Sequence, residues 1–205
     1  MRHPLLLLLG ATLLAATSLA AQGGVPSLPP IPDVRPYTHW GTIENSYDDE
    51  ENSTSIALDL PFGDEDLHRF VRRGRVRHLS FGAGFVYPGK VMTKYPDVVT
   101  LILKLTRDPS EALKSDKLPT ELVLMLDGAP LRVGSTLVAR NAISEDRGAM
   151  REIEDTYVVV LTLGQFLRIV NAAKVSAALQ GQAFEFTGGP LEGMRDLASR
   201  IIVTP

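Results

Sequence analysis

Between residues 53 and 163, apolar side chains return at every second position in four separate runs, and that period constrains the fold more than any other feature. In STSIALDL (53–60), Ile56, Leu58 and Leu60 share a face. HLSFGAGFVYPG (78–89) puts Leu79, Phe81, Ala83, Phe85 and Tyr87 on one side and Ser80, Gly82 and Gly84 on the other. DVVTLILKLT (97–106) presents Val99, Leu101, Leu103 and Leu105, and EDTYVVVLTL (154–163) presents Tyr157, Val159, Leu161 and Leu163. Side chains alternate between the two faces of a strand, so these runs read as half-buried strands rather than amphipathic helices.

Two hairpins follow from local chemistry. In ELVLMLDGAPLRVG (121–134), Asp127-Gly128 suits a type I′ turn, whose central residues both need positive φ. A two-residue loop pairs Leu126 with Ala129, Leu124 with Leu131 and Leu122 with Val133, all on one face. Pro130 cannot donate to a further partner, which predicts an edge strand. In KVSAALQGQAFEFTG (174–188), a turn at Gly181-Gln182 of type II′ sets Leu179 beside Phe184 and Ala177 beside Phe186.

Helices are few. Thr162 and Gln165 have the spacing of a capping box at the head of TLGQFLRIVNAA (162–173). Gly189-Pro190 opens a C-terminal helix over 189–202, with Leu191, Met194, Leu197, Ala198 and Ile201 in one stripe. About seven to nine strands and two or three short helices make a mainly β, β-rich α+β fold. The expected architecture is an antiparallel β-sandwich or partly open barrel. Strands that follow one another without intervening helices argue against a parallel sheet.

The N-terminal residues carry an address. Arg2, the apolar run Leu5–Leu14 and the small-x-small pattern Ser18-Leu19-Ala20 form the three parts of a secretory signal, so residues 1–20 are expected to be removed on export. The chain has no cysteine, which eliminates disulfides, thiolate metal sites and a lipidated N-terminal cysteine. Residues 21–36 hold five prolines and read as an extended arm, leaving 37–205 as a single β-rich domain. With 24 acidic against 21 basic residues, bulk charge points neither to nucleic acid nor to a membrane surface. No stable membrane span is expected once the signal is gone.

The sharpest charge feature is DEDLHRFVRRGRVRH (64–78), with five arginines and two histidines in fifteen residues. Asp64 as N-cap, the stripe Leu67, Phe70 and Val71, the last-turn cations Arg72 and Arg73, and Gly74 just beyond predict a short helix over 65–73. The alternative is an anion site made by Arg72, Arg73, Arg75 and Arg77 around a turn.

Other chemistry finds less support. Ser80 in HLSFG lacks the glycine before it and the helix after it that a nucleophile elbow needs. His39, His68 and His78 have no metal-ligand spacing, and YDDEENSTS (47–55) lacks the alternating oxygen ligands of a calcium loop. Trp40 and Tyr37 offer a thin platform for a sugar, or large apolar area with which to pin the arm to the domain.

The residues therefore lead to an exported, non-enzymatic β-domain, a binding or structural module of the cell envelope whose partner is an envelope protein or a polyanion, with no cofactor and no catalytic residue assigned. The alternatives are an exported hydrolase or carbohydrate-active enzyme on a β scaffold, and an anion binder through Arg72–Arg77.

Overall fold

The computed structural model describes residues 28–62, 71–73, 76–115, 118, 120–144 and 151–204. In chain order these contain β1 (Thr42–Asp48), β2 (Ser53–Phe62), β3 (Val71–Arg73), β4 (His78–Pro88), β5 (Val98–Arg107), α1 (Pro109–Ser115), β6 (Glu121–Leu126), β7 (Ala129–Gly134), β8 (Thr136–Ser144), β9 (Arg151–Thr162), α2 (Leu163–Asn171), β10 (Val175–Leu179), β11 (Gln182–Glu185) and α3 (Gly189–Ser199). The fold is mainly β, as the period-two runs predict. Two antiparallel sheets form, ordered β1-β2-β4-β5-β9-β8 and β3-β11-β10-β6-β7, and neither closes into a barrel.

The alternation sets the register of the larger sheet. One inward row runs Leu60, Phe81, Leu103, Tyr157 across β2, β4, β5 and β9, and the next runs Leu58, Ala83, Leu101, Val159. Every member of both rows is buried. A slip of one residue would turn a whole strand's apolar set to solvent, so these rows lock the pairing. The smaller sheet carries a matching row, Leu131, Leu124, Ala177, Phe184. Phe81 and Phe186 meet between the sheets with ring centroids 5.2 Å apart.

The two longer helices complete the core. Thr162 caps α2 through the full capping box with Gln165, and Leu163, Phe166, Leu167, Ile169 and Val170 are buried. Arg195, on α3, donates to the carbonyls of Val170 and Ala172 at 2.8 Å each. These groups stand at the end of α2, where carbonyls lack helical partners and the dipole favours a cation.

The Asp127-Gly128 hairpin has the register expected, and β7 with Pro130 is an edge strand. Asp127 and Gly128 both have positive φ, and the Asp127 carboxylate accepts the N–H groups of Ala173 and Lys174. The second hairpin differs from expectation. It turns at Gln180-Gly181, with φ +48° and +75°, so Leu179 pairs with Gln182 and Ala177 with Phe184. Gln180 holds its left-handed conformation while its side-chain carbonyl accepts the buried Tyr157 hydroxyl. Both registers keep Ala177, Leu179 and Phe184 on one face, so the apolar pattern alone does not separate them.

The helix expected over 65–73 does not reach its last turn, because Val71–Arg73 is β3, with Val71 opposite Phe184 and Arg73 opposite Ala183. Pairing with β11 satisfies a backbone that the local helix-end signals had assigned to a helix, a tertiary override of a short local preference. Residues 63–70, 74 and 75 lie outside the described set.

Candidate functional site

The described part of the arm, residues 28–36, and the stretch 37–41 after it contain no regular element beyond bends and lie on the two longer helices. Asn171 Nδ2 donates to the Pro30 carbonyl at 2.7 Å, Arg35 approaches Glu192 at 3.9 Å, and His39 Nε2 meets Asp196 Oδ2 at 3.0 Å. Through these contacts the described part of the arm runs as a strap along the domain.

Of the two roles open to its large apolar area, Trp40 takes that of pinning the strap. Its indole N–H donates to the Pro61 carbonyl at 2.7 Å and its ring meets Phe62 edge-on at 5.8 Å. It lies where Gly189 has no side chain: a Cβ there would stand 2.1 Å from Trp40 Cζ3. One turn on, a Cβ at Gly193 would stand 3.0 Å from Leu60 Cδ1 and 3.5 Å from His39 Cγ. The spacing Gly189-x-x-x-Gly193 thus opens one helical face to Trp40, His39 and β2 together, and is the signal by which the sequence could have disclosed this contact.

Strap, helix and sheet enclose a groove of about 680 Å³. Its walls are the strap (Val34–Tyr37), the 90–92 loop, and the end of α3 with the segment to Thr204; Asn45, Ile56 and Tyr87 contribute from the sheet. The Thr204 N–H donates to the Met92 carbonyl at 2.9 Å and ties the last two walls together. Ile56, Tyr87 and Met92 are buried and form an apolar floor, whereas Val34, Val91 and Ile202 stand 72%, 55% and 59% exposed at the rim.

Charge in the groove is one-sided. Arg35, Lys90 and Arg200 line it with side chains 60%, 71% and 46% exposed. Asp196 is the sole acid among the lining residues, and it already accepts from His39 and from Arg200 Nε at 3.3 Å. Arg35 also lies over the Tyr37 ring, 4.9 Å from its centroid, and Lys90 over Tyr47 at 4.5 Å. The Nδ1 of His39 is buried with no hydrogen-bond partner among the described residues.

A second polar cluster lies inside the fold. Asp155 and Arg107 are fully buried and paired, and Asp155 also accepts from Arg140 at 2.6 and 3.0 Å. Arg107 reaches the Tyr157 hydroxyl at 3.2 Å, and that hydroxyl donates to Gln180. Burial, with Asp155 alongside, pushes the Tyr157 phenol above its ordinary pKa, against the opposing pull of Arg107 and Arg140. This cluster joins β5, β8 and β9 to the Gln180 turn and is a structural tie between the sheets.

The sequence-derived candidates fall in different places. Arg72 and Arg73 sit on β3 of the five-stranded sheet, and Arg75 lies outside the described residues. Arg77 leads into β4 of the other sheet, where it pairs with Asp108 at 2.8 Å and Glu152 at 3.0 Å. Ser80 and His78 stand on one continuous strand, opposite Lys104 and Thr106. The run 47–55 holds the β1–β2 turn, in which Asp48 accepts the N–H groups of Glu50 and Glu51. Among the described residues, no group of three or more His, Cys, Asp or Glu side chains could hold a metal ion, and no helix is long and apolar enough to cross a membrane. No family model matches the chain, and neither a curated protein nor a solved structure does.

Proposed function

We propose that this chain is an exported, non-enzymatic β-sandwich that serves as a binding module of the cell envelope, and that the strap–helix groove is its binding face. The observation that carries the reading is the make-up of that groove: an apolar floor, exposed aliphatic rim residues and three cations against a single, already engaged carboxylate. A lone carboxylate cannot supply the acid–base pair of glycoside hydrolysis. Ser199, the groove's serine, donates to the Asp196 carbonyl rather than to a base. Concave, mostly apolar sites with a few placed polar groups are the usual form of ligand sites, and this volume is in their range, roughly 300–1,000 Å³.

Export rests on the N-terminal pattern Arg2, Leu5–Leu14 and Ser18-Leu19-Ala20. The anion reading through Arg72–Arg77 is the weaker of the two, because Arg77 is engaged by two carboxylates. The test has two arms. Expressed in full, the protein is expected outside the cytoplasm with a mass beginning at Ala21; retention inside at full mass contradicts export. For binding, the cysteine-free chain accepts a unique Val91→Cys substitution, and a bulky label there fills the groove. The unlabelled mature chain is expected to cosediment with envelope fragments and the labelled one to stay in solution. Equal sedimentation of both overturns the groove as binding face.

A further inference from the structure

Resting on the groove reading above, we infer that the groove's ligand is an amphiphilic anion: a carboxylate, sulfate or phosphate head on an apolar body. Two independent features of the same surface require both halves of that description. Val34, Val91 and Ile202 are three of the exposed large apolar residues of the described chain, and all three edge one groove whose floor is also apolar. Scattered exposed aliphatics need no explanation, but clustered ones over an apolar floor mark a surface built to be covered. A purely polar ligand, such as a free inorganic anion or a sugar, would leave that floor without a partner.

The head group follows from the charge. Arg35 and Lys90 stand on two different walls, each with its nearest acid at the limit of an ion pair, 3.9 Å from Glu192 and 4.0 Å from Asp49. Such loose, exposed pairs contribute little to stability and leave both cations available to an arriving anion. Arg200, on the third wall, is held by Asp196 within α3 and its C-cap. An anion seated among the three gains charge-assisted contacts beside apolar walls that exclude water. An uncharged amphiphile gains only the burial of its tail, and the cations then lose hydration without return.

The test uses the mature chain, 21–205, with decanoate and decyl sulfate as probes, decanol and sulfate as controls, and titration calorimetry of the unlabelled protein as the readout. Both alkyl anions are expected to bind, with decanol and sulfate at least about tenfold weaker, the counterpart of ~1.4 kcal/mol. Arg35→Ala and Lys90→Ala lie on exposed side chains whose loss spares the fold, and each is expected to weaken decanoate by about tenfold, with binding falling as salt rises. Vesicles of phosphatidylglycerol in phosphatidylcholine, against phosphatidylcholine alone, separate a lipid-borne head group from a free one.

Decanol binding as tightly as decanoate, or decanoate binding unchanged in both variants, overturns the inference. If decanoate fails while the Val91 label still blocks envelope binding, the ligand class is wrong and the groove reading survives. If both fail, the groove reading falls with it.

Discussion

Removing the buried Asp155 carboxylate should be among the costliest single side-chain truncations in this protein. Asp155 is fully buried and is shared between Arg107, also fully buried, and Arg140. Asp155→Ala deletes the counter-charge and leaves Arg107 facing Arg140 across an empty site. At an effective dielectric near 20, one such pair at ~4 Å is worth about 4 kcal/mol. Breaking a buried pair from one side costs about 3–5 kcal/mol in measured systems. The two routes agree. With a urea slope near 2 kcal/mol/M, the midpoint should fall by roughly 1.5–2.5 M.

The double variant Arg107→Met/Asp155→Leu removes both charges and should recover most of the loss, because Arg140 is partly exposed and can keep its head in water. Equilibrium urea unfolding followed by far-ultraviolet circular dichroism measures both. A loss under about 1 kcal/mol in Asp155→Ala, or a double variant no better than the single, would refute the buried counter-ion argument.

Three further outcomes are expected. Gly189→Ala forces Trp40 from its seat, since the new Cβ would stand 2.1 Å from the ring; the tryptophan emission should shift red and stability fall by about 1–3 kcal/mol, as overpacking does, and an unchanged spectrum contradicts the strap contact. Asp127→Ala loses two backbone contacts at 2.7 and 3.1 Å and puts alanine at φ +51°, so the midpoint should fall by the equivalent of about 2–3 kcal/mol. Tyr157 has a folded pKa raised above its unfolded value of 10.0, so the neutral phenol favours the folded state. Its contribution is complete below pH 10.0 and is lost as pH rises through the folded pKa; Tyr157→Phe should flatten that alkaline loss, and its difference absorbance at 295 nm should place Tyr157 as a late-titrating phenol.

The sheet core was legible because β2, β4, β5 and β9 each keep a buried apolar row at every second position, even where Ile102, Thr106, Thr156 and Val158 are buried on the opposite face as well. β1 was not, since TIENSYD has no apolar face: it is an edge strand whose partner lies on one side only. β8 hides its period behind a register shift between Leu137 and Ala139. The short α1 begins at Pro109, directly after Asp108, and seven residues are too few for a helical period to show. β3 exists through its pairing with β11, a contact remote in sequence from the arginines it contains.

The candidate site was less legible than the fold, and for a geometric reason. Arg35, Lys90 and Arg200 are far apart in the chain, and the strap, a loop and a helix end bring them to one groove. The charges of the arginine-rich stretch are neighbours in sequence, yet Arg73 lies on β3 of one sheet and Arg77 just before β4 of the other. Trp40 was the readable part, since a lone large ring beside a proline-rich arm invites a seat on the domain. Its seat, Gly189, lies at the start of a helix whose apolar stripe drew the reading toward the core instead.

The most direct measurement is backbone amide chemical-shift mapping of the mature, isotope-labelled chain titrated with decanoate. The moving resonances are expected to cluster at Arg35, Asn45, Lys90, Val91, Arg200 and Ile202, the walls of one groove. Shifts confined instead to Arg72, Arg73, Arg75 and Arg77, or spread over the outer face of the six-stranded sheet, would contradict it.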